Sequence, residues 1–440
     1  MQNDDGLTSA NNPDSRQLSP QYPRFILSLL ALLYAMNVAN RYILAVAVEP
    51  LKAEFGVSDS AIGLLTGLAF TVFYVTLGIP IARLADRANR RNIIAIAALI
   101  WSAMTMLTGF ARSFVHLIVL RVLVGVGESG LTPPAVSMLA NLFPVSRRGT
   151  AMSIYAVGSG IGFILAFNVG GWAVEAFGWR RTMILIGLPG LILGIVFWLF
   201  VSEPQRQLAS SHSDQKADAH SLKYTLQFMW SQRSLRHLIV GSSLLGIGAA
   251  GLPLWTPAFL ARSHGIATSE SGFWLGIIYG VGGIIGMYLG GVLMDKLGRR
   301  DIRWHAWSVG WASVVGVIPA TVMFLVPSAA MMLSLNAIYG VLGIVFYGPA
   351  LAMTANLVQD RMRASATAIL LLCVNFFGMG LGPELIGILS DVFSVFLGLG
   401  QDSLRYALTI GALFTAMGSI SFFVAARTLR QDYQHSENAQ

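Results

Sequence analysis

Residues 34–42 read YAMNVANRY and lie inside the first long apolar run of the chain. In their midst is Arg41, and a guanidinium at bilayer depth costs from about 2.5 to more than about 10 kcal/mol. It therefore needs a partner or a wet cavity. Asn37 and Asn40 are poor lipid-facing residues for the same reason, since hydrocarbon offers their amides no hydrogen bond. Asn37 and Arg41 stand four residues apart and share one helix face. That face, with the adjoining Tyr42, must look inward at something polar.

Composition widens this reading to the whole chain. Of 440 residues, 55% are hydrophobic and 11% charged, against about 25% charged in soluble domains. Mean hydropathy is +0.65. The 46 glycines and 16 prolines suit membrane helices, where both are commoner than in soluble ones. One cysteine, Cys373, excludes an intramolecular disulfide and argues against a cysteine-ligated metal. The seven histidines are scattered over span ends and loops, so neither a metal site nor a cofactor is expected. Net charge of +8 would suggest nucleic acid in a soluble chain; here membrane topology accounts for it. Residues 1–23 are polar and lack the pattern of a cleaved signal peptide, and read as a disordered cytoplasmic tail.

Apolar runs of roughly 20 residues or more, enough to cross a bilayer, follow at about 24–48, 59–84, 92–111, 114–140, 148–174 and 179–202. Residues 203–235 are polar and read as a cytoplasmic linker, with a short amphipathic segment over Ser221–Trp230. Six more runs come at about 236–262, 269–296, 304–327, 329–357, 364–396 and 402–427, before a short cytoplasmic tail, 428–440. With the N-terminus inside, 21 of the 29 Lys and Arg fall on inner segments and six on outer ones. That bias puts both termini in the cytoplasm. The halves also repeat. RLADRANRR at 83–91 is echoed by VLMDKLGRR at 292–300, and the glycine pattern of 162–171 by that of 378–387. The expected fold is all-α and integral to the membrane. Twelve helices form two pseudo-symmetric six-helix bundles, 24–202 and 236–427. In such parallel repeats the substrate site lies between the halves near the midplane.

At this point the chain resembles the major facilitator superfamily over essentially its whole length, most specifically in the Asp-Arg/Lys-x-(Gly/Asn)-Arg-Arg loop of both halves. Within it the chain is similar to the Spinster family of sphingolipid and lysophospholipid transporters. The resemblance rests on NRY at 40–42, FGVSD at 55–59, Asn89 within ADRANRR, and RVLVGVGES at 121–129. It is clearest over residues 30–160. The family's first-span pair is Asp-Arg, whereas this chain has Asn40-Arg41. An Asn neither titrates nor neutralises the arginine. Either this member differs, or the position carries an Asp→Asn change that mimics a protonated carboxyl.

The candidate site residues follow. Arg41 offers bidentate, charge-assisted bonds to a phosphate or carboxylate head group, with Arg121, Asn37 and Tyr42 as companions; the plainer reading is a structural ion pair with Glu128. Glu128 shares a helix stripe with Arg121, seven residues away, and lies about 21 Å into its span. Desolvation there favours the protonated carboxyl and a nearby arginine the ionised one, which makes Glu128, with position 40, the proton-coupling candidate. Asp86, Arg87, Arg90 and Arg91, with Asp295, Arg299 and Arg300 of the second half, are expected at the cytoplasmic face. The positive-inside rule covers the basic residues. The resemblance implies that Asp86 meets the start of the eleventh helix as a conformational latch. Glu384, after Gly382-Pro383, either lines the outer pathway or sits at a helix break hydrated from outside.

The combined expectation is an alternating-access secondary transporter, not an enzyme, in the cell membrane and more in keeping with a bacterial inner membrane than an organelle. Its partners would be protons, membrane lipids and a substrate, with no nucleic acid, and it would work as a monomer. The resemblance implies a lysophospholipid or a sphingosine-1-phosphate-like amphiphile. The alternatives are a small organic-anion:cation symporter and, from a different class, a passive lipid scramblase.

Overall fold

The computed structural model describes residues 21–203, 222–359 and 362–438, without the side chains of residues 86, 222, 223 and 435–438. The first crossing is α1 (Tyr22–Tyr42), a tightened turn Ile43–Ala47 and α2 (Val48–Phe55). Pro at the first turn opens it, where a missing N–H costs nothing, and Gly56 at φ 61° closes it in the left-handed conformation that suits glycine. The second crossing is α3 (Asp59–Thr66) plus α4 (Leu68–Arg87), started by the Ser58 hydroxyl, which accepts from the Ala61 N–H. Then come α5 (Arg90–Thr108), capped by Asn89, and the broken pair α6 (Phe114–Glu128) and α7 (Thr132–Leu142). Next are α8 (Val145–Ile164), one wide turn Leu165–Val169, and α9 (Gly170–Phe200).

The second half begins with the short α10 (Leu222–Ser231), where the sequence predicts an amphipathic segment. It continues through α11 (Arg233–His264), α12 (Thr268–Gly298), α13 (Trp304–Val322), α14 (Ala329–Leu342) and α15 (Tyr347–Asn356). Helix α16 (Arg363–Asn375), a wide turn Phe376–Leu381, α17 (Gly382–Phe396) and α18 (Ser403–Asn438) complete it.

Ten helical runs among the described residues are long and apolar enough to cross a membrane. One of them, Val145–Phe200, has 56 residues, about 84 Å if it were a straight helix, far more than one crossing needs. It turns at Gly178 (φ 78°, ψ 158°), so it crosses twice. Helix α13, 19 residues long, packs against α14 and α18 and supplies the twelfth crossing. Large apolar side chains such as Ile96, Trp198 and Ile318 are bare on the outside, as lipid-facing residues are.

Three apolar clusters hold the helices. One, around Leu30, Trp101 and Phe197, lies within the first half. Another, around Leu238, Phe346 and Phe422, lies within the second. The third joins Leu51, Phe167 and Trp179 to Trp255, Phe259 and Phe324 of the other half. Leu51 is in α2, Trp179 at the Gly178 turn of α9, Trp255 and Phe259 in the later part of α11, Phe167 in the wide turn after α8 and Phe324 just beyond α13, all away from the face bearing Arg87, Arg299 and Arg300. The halves are therefore welded at the far face.

Nearer mid-depth, a glycine seam joins the halves where α8 crosses α12. A Cβ on Gly280 would sit 2.7 Å from the Gly160 carbonyl oxygen, and one on Gly160 would sit 2.8 Å from that of Gly280. Backbone cannot yield as a flexible side chain can. Gly280→Val is expected to cost about 1–3 kcal/mol by overpacking and to lower the melting temperature in detergent. Gly78→Val, where a Cβ meets nothing within 4 Å, is the control and should change it far less.

Candidate functional site

Between the halves lies a cavity of about 190 Å³, lined from the first half by Tyr34, Arg41, Tyr42, Ser159 and Phe163. Its other wall is Tyr279, Met287, Phe346, Asn375, Met379 and a run of small residues of α11 and α12. Tyr34, Met287, Phe346 and Asn375 occupy the basic-face halves of their crossings, while Arg41, Tyr42, Phe163 and Tyr279 lie near mid-depth, so the cavity runs from the midplane towards the basic face.

Arg41 donates from Nη2 to Glu128 Oε2 at 2.8 Å and from Nε to the same oxygen at 3.1 Å. A third bond, 3.1 Å, runs to Asn37 Oδ1, one helical turn away, as the four-residue spacing requires. Nη1 reaches across to Met379 Sδ of the other half at 3.7 Å. The guanidinium also lies over Tyr74 at 4.7 Å and Phe70 at 5.2 Å. The Glu128 side chain is fully buried while that of Arg41 is 13% exposed. The cation is thus the member of the pair that a solute in the cavity can touch. Among the described residues Glu128 Oε1 has no hydrogen-bond partner, so within them the pair is incompletely satisfied.

Arg121 takes a different place. It donates to two backbone carbonyls, Asn40 O at 3.2 Å and Arg41 O at 2.8 Å, and stacks over Phe70 at 4.7 Å. Those carbonyls sit where α1 tightens into the turn Ile43–Ala47. Arg121 is absent from the walls of the central cavity and lines a separate small void with Asn40. Of the four residues expected to hold substrate, Arg41 and Tyr42 face the cavity, Asn37 stands behind Arg41, and Arg121 lies apart.

The far face is closed by a group whose partnerships the sequence does not announce. Asp59, 3% exposed, receives Arg262 at 2.7 and 2.8 Å, Ser390 Oγ at 2.7 Å, and Lys52. Arg262 also binds Glu49 at 2.8 Å. Asp391 accepts from the backbone N–H groups of Asp59 and Ser60 at 3.0 and 2.8 Å, a carboxylate at the N-terminus of α3 where the helix dipole favours it. Among the described residues, the ion pairs that join the two halves are those of Arg262. Arg180 and Trp179 bind Glu54, and Arg180 also holds the carbonyls of Gly109 and Ala111. It ties these segments of the first half together.

At the basic face, among the described residues, the ion pairs lie within one half or the other. Arg90 is buried and binds Glu203 at 2.7 Å and Ser137, and the Arg91 N–H binds the other Glu203 oxygen. Arg87, Asp295, Arg299 and Arg300 are exposed. The Asp86 side chain lies outside the described residues. Glu384 follows the wide turn of the eleventh crossing, half-buried, with its backbone against Gly63 of α3 and Oε2 without a partner among the described residues. The motif FGVSD pointed to the neighbourhood of Asp59, but Arg262 read only as one outer basic residue among six. Nothing in either local pattern pairs them, since 203 residues separate them.

Comparison with known proteins shows the family and the fold. Residues 30–383 match the Major Facilitator Superfamily. An MFS-type efflux pump of Mycolicibacterium smegmatis is 31% identical, covering 92% of both chains. A sphingosine-1-phosphate transporter of Danio rerio is 26% identical over 89% of this chain and 81% of its own. The crystal structure of a bacterial homolog to the human lysosomal transporter Spinster, inward-facing and unoccupied, superposes with TM-score 0.84 at 28% identity. It covers 94% of this chain and 99% of that one.

Breaking the far-face weld should open that side. Arg262→Ala leaves the buried Asp59 with Lys52 as its remaining cation, so the loss is expected below the figure of about 3–5 kcal/mol for a buried pair whose remaining charge is left uncompensated. Spin labels at Ala53 and Gln401 are expected to show a longer distance population in Arg262→Ala than in the parent. An unchanged distribution would mean that the apolar cluster alone keeps the face shut.

Proposed function

Because the chain belongs to the major facilitator superfamily and is related to the Spinster transporters, we propose that it moves an anionic amphiphile by proton-coupled alternating access. The observation that carries this reading is the one-sided exposure of the ion pair at the cavity wall. Arg41 is reachable, and Glu128 behind it is not. A phosphate or carboxylate entering the cavity competes with Glu128 for the same guanidinium, whose planar fork suits such groups. A carboxylate deprived of its cation in a dry site takes up a proton. Substrate and proton thus bind together and leave together. Asn40 does not titrate, so Glu128 carries the coupling alone.

The second wall of the cavity supports an amphiphile over a compact polar anion. It presents Met287, Ile284, Ile344, Phe346 and Val374 beside glycines and alanines, surface that an acyl chain would cover. The relative from Danio rerio transports sphingosine-1-phosphate, which has an anionic head on an apolar tail. In this scheme residues 24–202 and 236–427 rock about the cavity, linked by 203–235. The basic face is cytoplasmic, in a bacterial inner membrane by preference, and the monomer is the working unit. Asp86, Arg87, Asp295, Arg299 and Arg300 latch that face when the far face opens.

Reconstitution in liposomes with a fluorescent lysophospholipid tests this. The parent is expected to transport faster with a pH gradient than without. Arg41→Ala should lose at least tenfold in rate. Glu128→Gln should keep binding yet lose the response to the gradient. Lipid movement indifferent to pH in the parent would instead make the protein a passive scramblase. Competition by short dicarboxylates but not by lysolipids would favour a small organic anion.

A further inference from the structure

Helix α10, LKYTLQFMWS, carries two apolar stripes, and the fold uses one of them. Thr225 and Met229, four residues apart, are fully buried, and with Phe228 they seat the helix on α11 and α16. Leu226 and Trp230, also four apart, form a neighbouring stripe. They are bare, at 47% and 53% exposed, and Tyr224 on the other flank is exposed as well. Residues 204–221, which precede the helix, contain one large apolar side chain, Leu208, so that sequence offers little to cover the stripe.

Position and charge name the occupant. Gln232 leaves the helical conformation, with ψ 126°, and the seventh crossing begins at Arg233. The short helix therefore lies where that crossing enters the bilayer at the basic face, a depth that Trp and Tyr favour. Arg233 is exposed and Arg236 half-buried in the first turn of α11, and Arg427 of α18 is exposed. Two bonds tie α18 to that turn and bracket Arg427. The Ser421 hydroxyl donates to the His237 carbonyl at 3.0 Å, and the Ser234 N–H donates to Asp432 at 2.9 Å. The ion pairs of the basic face engage Arg90, Arg303 and Arg430. They leave Arg233, Arg236 and Arg427 without one among the described residues.

We propose that α10 is a lipid-binding helix. Leu226 and Trp230 enter the leaflet at the basic face, and Arg233, Arg236 and Arg427 hold the head group of an anionic phospholipid there. An apolar stripe sunk at the head-group boundary and a set of cations beside it are the two signals that together bind a charged lipid surface. Both lie on the same end of the same half. None of these residues lines the central cavity, so the site is independent of whichever substrate the cavity carries.

Two measurements on the full chain test this. In the first, a spin label is placed at Leu226→Cys in a Cys373→Ser background, in nanodiscs of phosphatidylcholine and phosphatidylglycerol. The label is expected to collide with oxygen more than with a water-soluble nickel chelate, and a label at Gln227→Cys, on the water side, to show the reverse. Equal access of the chelate to both positions would overturn the insertion and leave a soluble partner or a second copy of the chain to meet the stripe. In the second, the protein in detergent is titrated with phosphatidylglycerol. Its melting temperature is expected to rise and saturate, as binding linkage requires. The triple variant Arg233→Gln/Arg236→Gln/Arg427→Gln should need at least tenfold more lipid for the same rise, while Arg83→Gln/Arg147→Gln should respond like the parent. A rise that phosphatidylcholine reproduces, that the triple variant keeps in full, or that the double variant loses equally would overturn the head-group site.

Discussion

Arg41 is the constraint on which this structure turns. A guanidinium inside the first crossing forbids that face from meeting lipid, and everything near it follows from satisfying it. Asn37 sits one turn back to accept from it, Glu128 is buried behind it, and Phe70 and Tyr74 stack on it. Its remaining nitrogen reaches the other half at Met379. Such an arrangement is expensive to bury and weak as a source of stability. Its value is as a contact that can be exchanged for another anion.

The rest of the fold divides the labour around that contact. Apolar packing inside each half keeps the bundles intact, while the shared cluster and the Asp59–Arg262 group join them, the ion pairs between the halves lying, among the described residues, at the far face. A transporter needs this asymmetry. One face must be sealed by interactions strong enough to hold and polar enough to be exchanged, and the other must stand open. Asp391 capping α3 across the interface is suited to that task, because backbone N–H groups lose their partner cleanly when the halves separate.

Much of this was legible in the sequence, and the reasons differ by feature. Hydropathy located the crossings because the bilayer sets a minimum length, although Gly178 and the modest hydropathy of α13 hide two of them from a count of continuous apolar helices. The spacing of Asn37 and Arg41 foretold their bond, since helix geometry fixes it. Spacing alone misplaced Arg121: it shares a stripe with Glu128, yet its guanidinium turns to the carbonyls exposed where α1 tightens. The far-face group was illegible because its members, at positions 49, 59, 262 and 391, meet only through the tertiary fold. A charge on an outer loop looks the same whether solvated or paired. The two wide turns, Leu165–Val169 and Phe376–Leu381, fall in or beside the repeated glycine patterns, which signalled correspondence between the halves without revealing a change in helix winding.

The central claim is that one guanidinium serves Glu128 and the substrate in turn. It is tested most directly by counting protons in weakly buffered detergent solution as a lysophospholipid with an anionic head is bound. The account predicts proton uptake on binding by the parent, tighter binding as pH falls, and neither effect in Glu128→Gln. Binding of full strength with no proton taken up by the parent would contradict it, and would leave the Arg41–Glu128 pair as structure alone.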